Sequence, residues 1–403
     1  MGISIYPTAM QVVIRTLLLT LFLFTCLLPP PARAQGRAGK PLRIGLFVPL
    51  WLDSAFSPTG EYRYGKGFPR QSISGLECYQ GVAFALDTLR QTGKVNIELT
   101  VFDIRSQEGN IFLVTRLPKM DSLDLLIGQV SGAEYLHLAE AARRRRIPFL
   151  STSYPNDGGV RDNPYVLITQ ARLPSHLQAL NNHLTASLGI GQNAIWLRRL
   201  HPNDDRLAEA FREMQGGRTP KYRTLAMPDT FSVWQLLRHL DSTRLNILIA
   251  GSLDEAFGLR LVENCLSIDK AYRITVIGMP TWEGLSALRS SRYQSIPIEH
   301  TVAFYRPAIA AWGDRLEEEY RRRTYSRPSD VVFKSFQAAY HLTRLLLQYD
   351  TAWRSHLNDP ELSAQSDFNF QPARIQSATV IDYLENKRIY LIRREEGSVS
   401  QLR

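Results

Sequence analysis

The feature that most constrains this chain is the alternation of short apolar segments with amphipathic helical ones, which begins at residue 41. Leu42-Arg-Ile-Gly-Leu-Phe-Val-Pro-Leu50 is almost continuously apolar, as expected of a strand buried on both faces. Leu76, Tyr79, Val82, Ala83, Leu86 and Leu89 recur at helical spacing and predict a helix over 72–90. Val95, Ile97, Leu99 and Val101 then alternate with polar residues, which predicts a strand ending at Asp103. A helix near 107–120, a strand Leu123–Ile127, a helix over 133–146 and a strand Ile147–Leu150 follow. Such a βαβαβαβ series calls for a parallel sheet with helices on both faces, because parallel strands need crossover connections.

The series then restarts. Tyr165–Thr169 reads as a strand, followed by a helix near 174–187, the strand Ala194–Leu197 and a helix near 203–214. A strand near 221–226, a helix near 231–240 and the strands Asn246–Ala250 and Ile274–Gly278 around one more helix continue it. Two α/β halves in 403 residues predict two lobes, since a single core stops growing at about 250–300 residues. Residues 311–349 read as helical. Glu317, Glu318 and Glu319 face Arg321, Arg322 and Arg323 along a solvated stretch, and Val331–Gln348 is apolar enough to pack on a lobe. Ala378–Tyr383 and Arg388–Arg393 read as closing strands with Glu385-Asn386-Lys387 as the turn between them.

The first residues follow another pattern. Leu17–Leu28 is an apolar run preceded by Arg15 and followed by prolines and Ala32-Arg33-Ala34. That order is a secretory signal peptide, residues 1–34, cleaved after Ala34. The run is short of the roughly 20 residues a spanning helix needs. A lipoprotein signal ending at Cys26 fits less well, with Thr25 before the cysteine. Export leaves Cys78 and Cys265, which fall in different halves and are expected as two free, buried thiols. Two cysteines do not make a four-ligand zinc site. The net charge of +10 is spread along helices rather than interleaved with aromatic residues, so a soluble basic surface is expected, and no nucleic-acid partner.

No catalytic constellation stands out. Gly60-Glu-Tyr-Arg-Tyr-Gly-Lys66 is followed by Gly67 where a phosphate loop needs Ser or Thr to hold magnesium. Ser267-Ile-Asp-Lys270 lacks the companion elements of the penicillin-recognising enzymes, and Gly128-Gln-Val-Ser-Gly132 has the wrong spacing for a nucleophile elbow. There is no His-Glu-x-x-His, and no cofactor or metal is expected. Arg143–Arg146 close a helix, where cations complement the dipole.

Two serine-rich turns remain. Ser131 ends a strand and precedes a helix, where a hydroxyl caps exposed amides; Ser151, Thr152 and Ser153 end the next strand. The carboxyl ends of parallel strands are also where open α/β sheets bind ligands, and helix amides there hold carboxylates. For any one serine both roles stay open. Two such turns on adjacent strand ends favour binding.

These residues resemble the type I periplasmic binding proteins, of the leucine/isoleucine/valine-binding and receptor-ligand-binding-region kind. The likeness is carried by Arg43–Leu50, Gly75–Leu89, Leu99–Asp103, Leu126–Ser131, Ile147–Ser151, Ile277–Glu283 and Val332–Tyr340, in that order, over about residues 41–395. It implies an α/β fold of two Rossmann-like lobes with parallel central sheets, joined by a three-crossing hinge. One lobe would be 41–163 plus 306–356, the other 164–305 plus 357–398. It also implies a non-enzymatic protein that binds a small molecule between the lobes. The implied contacts are Ser131, Ser151, Ser153 and Glu283, with Trp51 and Trp282 as apolar walls; in amino-acid binders a glutamate near Glu283 meets the ligand ammonium.

The chain departs from the pattern at Ser153-Tyr154-Pro155, where Pro155 has no amide proton, at Gly251-Ser252, where an aromatic is usual, and at an insertion, Trp51–Gln71, expected at the cleft mouth. The insertion carries Trp51, Phe56, Tyr62, Tyr64 and Phe68 with Arg63, Lys66 and Arg70. The resemblance therefore implies a periplasmic, monomeric solute-binding protein serving a membrane transporter. The alternative is an interaction protein of the same fold that holds a cell-envelope partner through the 51–71 segment. An exported hydrolase has no assembled site in the sequence.

Overall fold

The computed structural model describes residues 40–93, 95–216, 221–306, 311–362 and 368–402. The expected signal peptide, 1–34, and Cys26 lie outside these residues.

Five parallel strands open the chain: β1 (Leu42–Val48), β2 (Ile97–Asp103), β3 (Leu125–Gly128), β4 (Phe149–Ser151) and β5 (Val166–Ile168). A second set follows: β6 (Gln192–Arg199), β7 (Arg223–Met227), β8 (Leu245–Ala250), β9 (Ile274–Ile277) and β10 (Ile298–Val302). The end of the chain returns to both. β11 (Phe370–Ala373) and β12 (Tyr383–Asn386) extend the first sheet to the order β11-β12-β5-β4-β3-β1-β2. β13 (Tyr390–Glu395) and β14 (Ser398–Gln401) extend the second to β14-β13-β10-β9-β8-β6-β7. Each sheet separates two apolar layers. In β1, Leu42, Ile44, Leu46 and Val48 enter one layer and Phe47 the other. That two-sided burial is why β1 reads as an apolar run.

The helix Arg70–Gly93 covers one face of the first sheet and packs along the helix Asp330–Tyr349. Gly81 sets how closely they approach: a Cβ there would stand 2.4 Å from the Val332 carbonyl oxygen and 2.9 Å from Ser335 Cβ. We expect Gly81→Leu to lower the unfolding free energy by about 1–3 kcal/mol, the usual cost of overpacking. Urea unfolding measures it, and an unchanged midpoint would contradict this packing.

Several expectations need correction. The sequence segments 164–169 and 370–386, expected in the second lobe, supply β5, β11 and β12 to the first sheet. Glu385-Asn386-Lys387 is not a hairpin turn. Glu385 and Asn386 belong to β12, and β13 lies in the other sheet. The expected helix at 107–120 is one turn, Ile111–Val114, followed by a 3-10 turn, Pro118–Ser122. Leu117 precedes a proline and is extended (φ −73°, ψ 142°), which ends helical continuation. Residues 311–349 form two helices, Ala311–Thr324 and Asp330–Tyr349, separated at Tyr325, whose φ is 54°, and Pro328. β10 escapes sequence reading because Glu299, His300 and Thr301 interrupt it, yet all three are buried. Glu299 is affordable there because His183 and Arg393 hold its carboxylate, at 3.0 Å and 2.6 Å. Cys78 and Cys265 are free and buried, as expected.

Candidate functional site

Three crossings join the lobes: residues 169–172 after β5, the segment from 303 after β10, and 387–389 after β12. The chain leaves all three strands at their carboxyl ends. The carboxyl edges of both parallel sheets are therefore turned toward the crossings, the side on which open α/β sheets bind ligands. In the first sheet the strand order reverses at β1, with β2 on one side and β3 on the other. The residues that follow β1 and β3 flank this switch point.

Trp51 follows β1 in a left-handed conformation (φ 60°, ψ 37°), which is strained for an aromatic residue. The Asp103 carboxylate at the end of β2 holds it there. Its two oxygens accept the amides of Leu50, Trp51, Leu52 and Arg105 at 2.9, 3.1, 2.7 and 3.0 Å. The Arg105 guanidinium lies 5.9 Å from the Trp51 ring centroid and bonds Glu134 at 2.5 Å. Glu134 stands in the first turn of the helix Gly132–Arg145, whose N-cap is Ser131. Trp51 and Ser131 are thus linked through one ion pair.

Ser131 is exposed and its hydroxyl makes no capping bond. The helix amides behind it are left for other acceptors. Gly132 bends the chain into the helix at φ 56°, a conformation open to glycine at little cost. Ser153 is exposed on the neighbouring strand end. Ser151 departs from expectation: it is the last residue of β4, fully buried, and its Oγ has no partner among the described residues.

In the second lobe the two expected residues part company. Trp282 is 1% exposed and lies in the core beneath β8 and β9, not on a cleft wall. The physical reason is a pair of glycines. A Cβ on Gly278 would stand 2.2 Å from the indole, and one on Gly258 2.6 Å, so the ring fills the space both leave. Glu283, one residue on, is partly exposed and bonds Lys334 Nζ at 2.7 Å. Lys334 belongs to the helix Asp330–Tyr349 of the first lobe, so this ion pair bridges the lobes. Arg289 and Asp330 add a second bridge at 3.6 Å. Burial and Arg289 hold the nearby Arg394 guanidinium below its usual pKa, against the opposing pull of Asp330 and Glu283. Where Lys334 meets the crossings, beside Thr169, Gln170, Phe304 and Tyr390, a cavity of 20 Å³ leaves room for about one water.

Sequence reading missed Lys334, Arg105 and Gln129. Gln129 follows β3; its Nε2 bonds Ser74 Oγ at 2.5 Å, and its Oε1 is buried without a partner among the described residues. Gln129 sits in the first serine turn and Lys334 in a stretch the family likeness singled out. Their partners lie 55 and 51 residues away, and no local pattern announces such pairs.

The bridge gives a direct expectation. Lys334→Met should open the lobes, seen as a larger radius of gyration in solution scattering with an unchanged circular dichroism spectrum. Both groups are partly solvated, so the stability change should stay within about 1 kcal/mol. Wild-type protein should shift the same way as salt screens the pair. Scattering that is the same for variant and wild type would show that the pair does not hold the lobes.

No family model matches the sequence, and no curated protein matches it. Solved structures do. A branched-chain amino acid ABC transporter periplasmic ligand-binding protein from Burkholderia xenovorans LB400 is similar over 90% of this chain and 94% of its own, with a TM-score of 0.59 and 12% identity. An ABC-type branched-chain amino acid transporter protein from Rhodopseudomonas palustris CGA009 covers 89% and 95%, with a TM-score of 0.55 and 15% identity. The substrate-binding protein LivJ from Streptococcus pneumoniae, in complex with isoleucine, covers 90% and 99%, with a TM-score of 0.51 and 12% identity. At such identities the likeness is one of fold: the chain has the two-lobed type I periplasmic binding protein fold.

Proposed function

We propose that the chain is an exported, non-enzymatic solute-binding protein. It captures a small polar or anionic compound, an amino acid or a related one, between its lobes and closes around it for a membrane transporter. The observation that carries this reading is the pairing of an uncapped helix N-terminus at Ser131–Gly132 in one lobe with Glu283 in the other, both beyond strand carboxyl ends. The first suits a ligand carboxylate; the second suits an ammonium. The isoleucine held by the Streptococcus pneumoniae protein supports the same class of ligand, and the leader-like residues 1–34 support export. The Lys334 ammonium would leave Glu283 as a ligand ammonium took its place, so binding and lobe movement would be coupled.

The test is a thermal-shift screen against amino acids, short peptides, sugars, nucleosides and cell-wall fragments. A ligand at one hundred times its Kd adds about 2.7 kcal/mol to the folded state. The hit should disappear in the Ser131→Ala, Glu283→Gln double variant. A flat screen on folded protein sinks the reading.

One observation favours a second reading, an interaction protein of this fold without a small ligand: Glu283 already has a protein ammonium as its partner. In that reading the exposed Phe56, Tyr62, Tyr64 and Phe68 meet a cell-envelope partner. Deleting 51–71 should then abolish the complex and leave the fold intact.

A further inference from the structure

The Trp51–Gln71 insertion packs against the first lobe. It makes one helical turn, Leu52–Ala55, doubles back through a Phe56–Tyr62 bridge, and leans on the helix Arg70–Gly93 and on β2, the edge strand of the first sheet. Beneath it is a cavity of 440 Å³, walled chiefly by Leu52, Phe56, Tyr62, Phe68, Tyr79 and Val101. The cavity opens to solvent on one side, and its volume lies within the range of small-molecule sites, about 300 to 1,000 Å³. The wall also leaves Phe68 52%, Leu52 45% and Phe56 40% exposed, apolar surface that a bound molecule would cover.

Two observations say what kind of molecule. Ser72 on the wall is 3% exposed, and its hydroxyl has no partner among the described residues. A buried polar group without a partner is costly, and a ligand atom that bonds it removes that cost. Asp103, the charged residue of the wall, has both oxygens occupied by backbone amides. The insertion also carries Arg63, next in sequence to Tyr62 of the wall, Arg70, next to Pro69 of the wall, and Lys66, all exposed and with no acidic partner among the described residues. Its acids are Asp53, whose Oδ2 accepts the Gln107 amide, and Glu61. The wall is apolar, and the insertion that supplies much of it is net cationic.

We propose that this cavity is a second binding site, distinct from the interlobe cleft, for a small molecule with an apolar body and one anionic head, such as a medium-chain or aromatic carboxylate. The apolar body fills the space between Phe56, Tyr79 and Val101. A polar atom of the ligand bonds Ser72, and the cationic residues of the insertion hold the head.

The test uses 8-anilinonaphthalene-1-sulfonate as a fluorescent probe on the purified protein, with decanoate and decanol as competitors. The expected result is saturable binding to one site. Val101→Arg and, independently, Leu52→Arg should each weaken it about tenfold or more, with circular dichroism showing that the variants are folded. Glu283→Gln should leave it unchanged, which separates this site from the cleft. Decanoate should displace the probe better than decanol, and the Arg63→Glu, Lys66→Glu double variant should remove that preference. Probe binding unaltered in both arginine variants overturns the proposal, as does the lack of any saturable binding to wild type. Equal displacement by decanoate and decanol overturns the anionic head.

Discussion

Acidification from pH 7 to pH 4 should unfold this protein, and three buried histidines carry most of the effect. His176, His300 and His341 are 5%, 0% and 3% exposed, and burial pushes each down to about 4. His176 meets Thr301 Oγ1 at 3.0 Å; Glu385 opposes its shift and Lys334 adds to it. Arg394 and His176 reinforce the shift of His300, whose two nitrogens have no partner among the described residues. His341 meets the Leu357 carbonyl at 3.0 Å, with Arg344 reinforcing its shift.

The direction follows from linkage. A histidine in the unfolded chain takes a proton near pH 6.5, while these three stay neutral in the fold until about pH 4. Between those values the unfolded state binds more protons, so stability falls as pH falls, by about 1.4 kcal/mol per unit for each histidine. Over the window that is about 3 kcal/mol each, and about 9 kcal/mol together, comparable to the whole stability of an ordinary domain. Glu299 and Asp204 act at lower pH. Burial raises both, but His183 and Arg393 outweigh it at Glu299, and Arg199 at Asp204, so both end below the usual range. The measurement is circular dichroism against pH for wild type and His300→Phe. The variant should unfold at lower pH, and an identical acid midpoint would falsify the assignment.

Replacing Trp282 by alanine should cost about 3–5 kcal/mol, the usual loss for a large buried aromatic. The indole shares one apolar layer of the second lobe with Phe231, Phe257 and Leu261 and lies against the two glycines that admit it. Its Nε1 has no partner among the described residues, so Trp282→Phe, which removes an unpaired donor as well as volume, should cost much less. Gly278→Val should destabilise by several kcal/mol, because its side chain enters space the ring occupies. In Trp282→Ala that penalty should shrink, giving a clear coupling energy in a double-mutant cycle. Equal penalties in both backgrounds would show that the ring and the glycine do not share that space. A residue on a cleft wall would behave differently, changing ligand affinity and leaving stability nearly unaltered.

The candidate site was legible only in part. Ser131 and Ser153 stand at strand ends because a strand-turn-helix pattern marks such ends locally. Ser151 was expected beside them, but it is still part of β4 and buried between its neighbours, whereas Ser153, two residues on, has left the sheet and is exposed. Trp282 and Glu283 are neighbours in sequence, and a 3-10 turn sends one into the core and the other toward Lys334.

The chain by itself determined the two α/β halves, because hydrophobic period is written residue by residue and needs no partner to be seen. It also determined that β1–β4 and β6–β9 are strands following one another along the chain, and the free, buried state of Cys78 and Cys265. The tertiary structure alone decided which sheet takes each strand after the crossings. β12 pairs with β5, more than two hundred residues earlier in the chain, while β13 pairs with β10. Strand sequences carry an in-or-out pattern but no address, so pairing is settled by which sheet edge the chain meets after each crossing. The same holds for Glu283–Lys334 and for the cavity beside Ser72. Both depend on distances between segments that only the folded chain brings together.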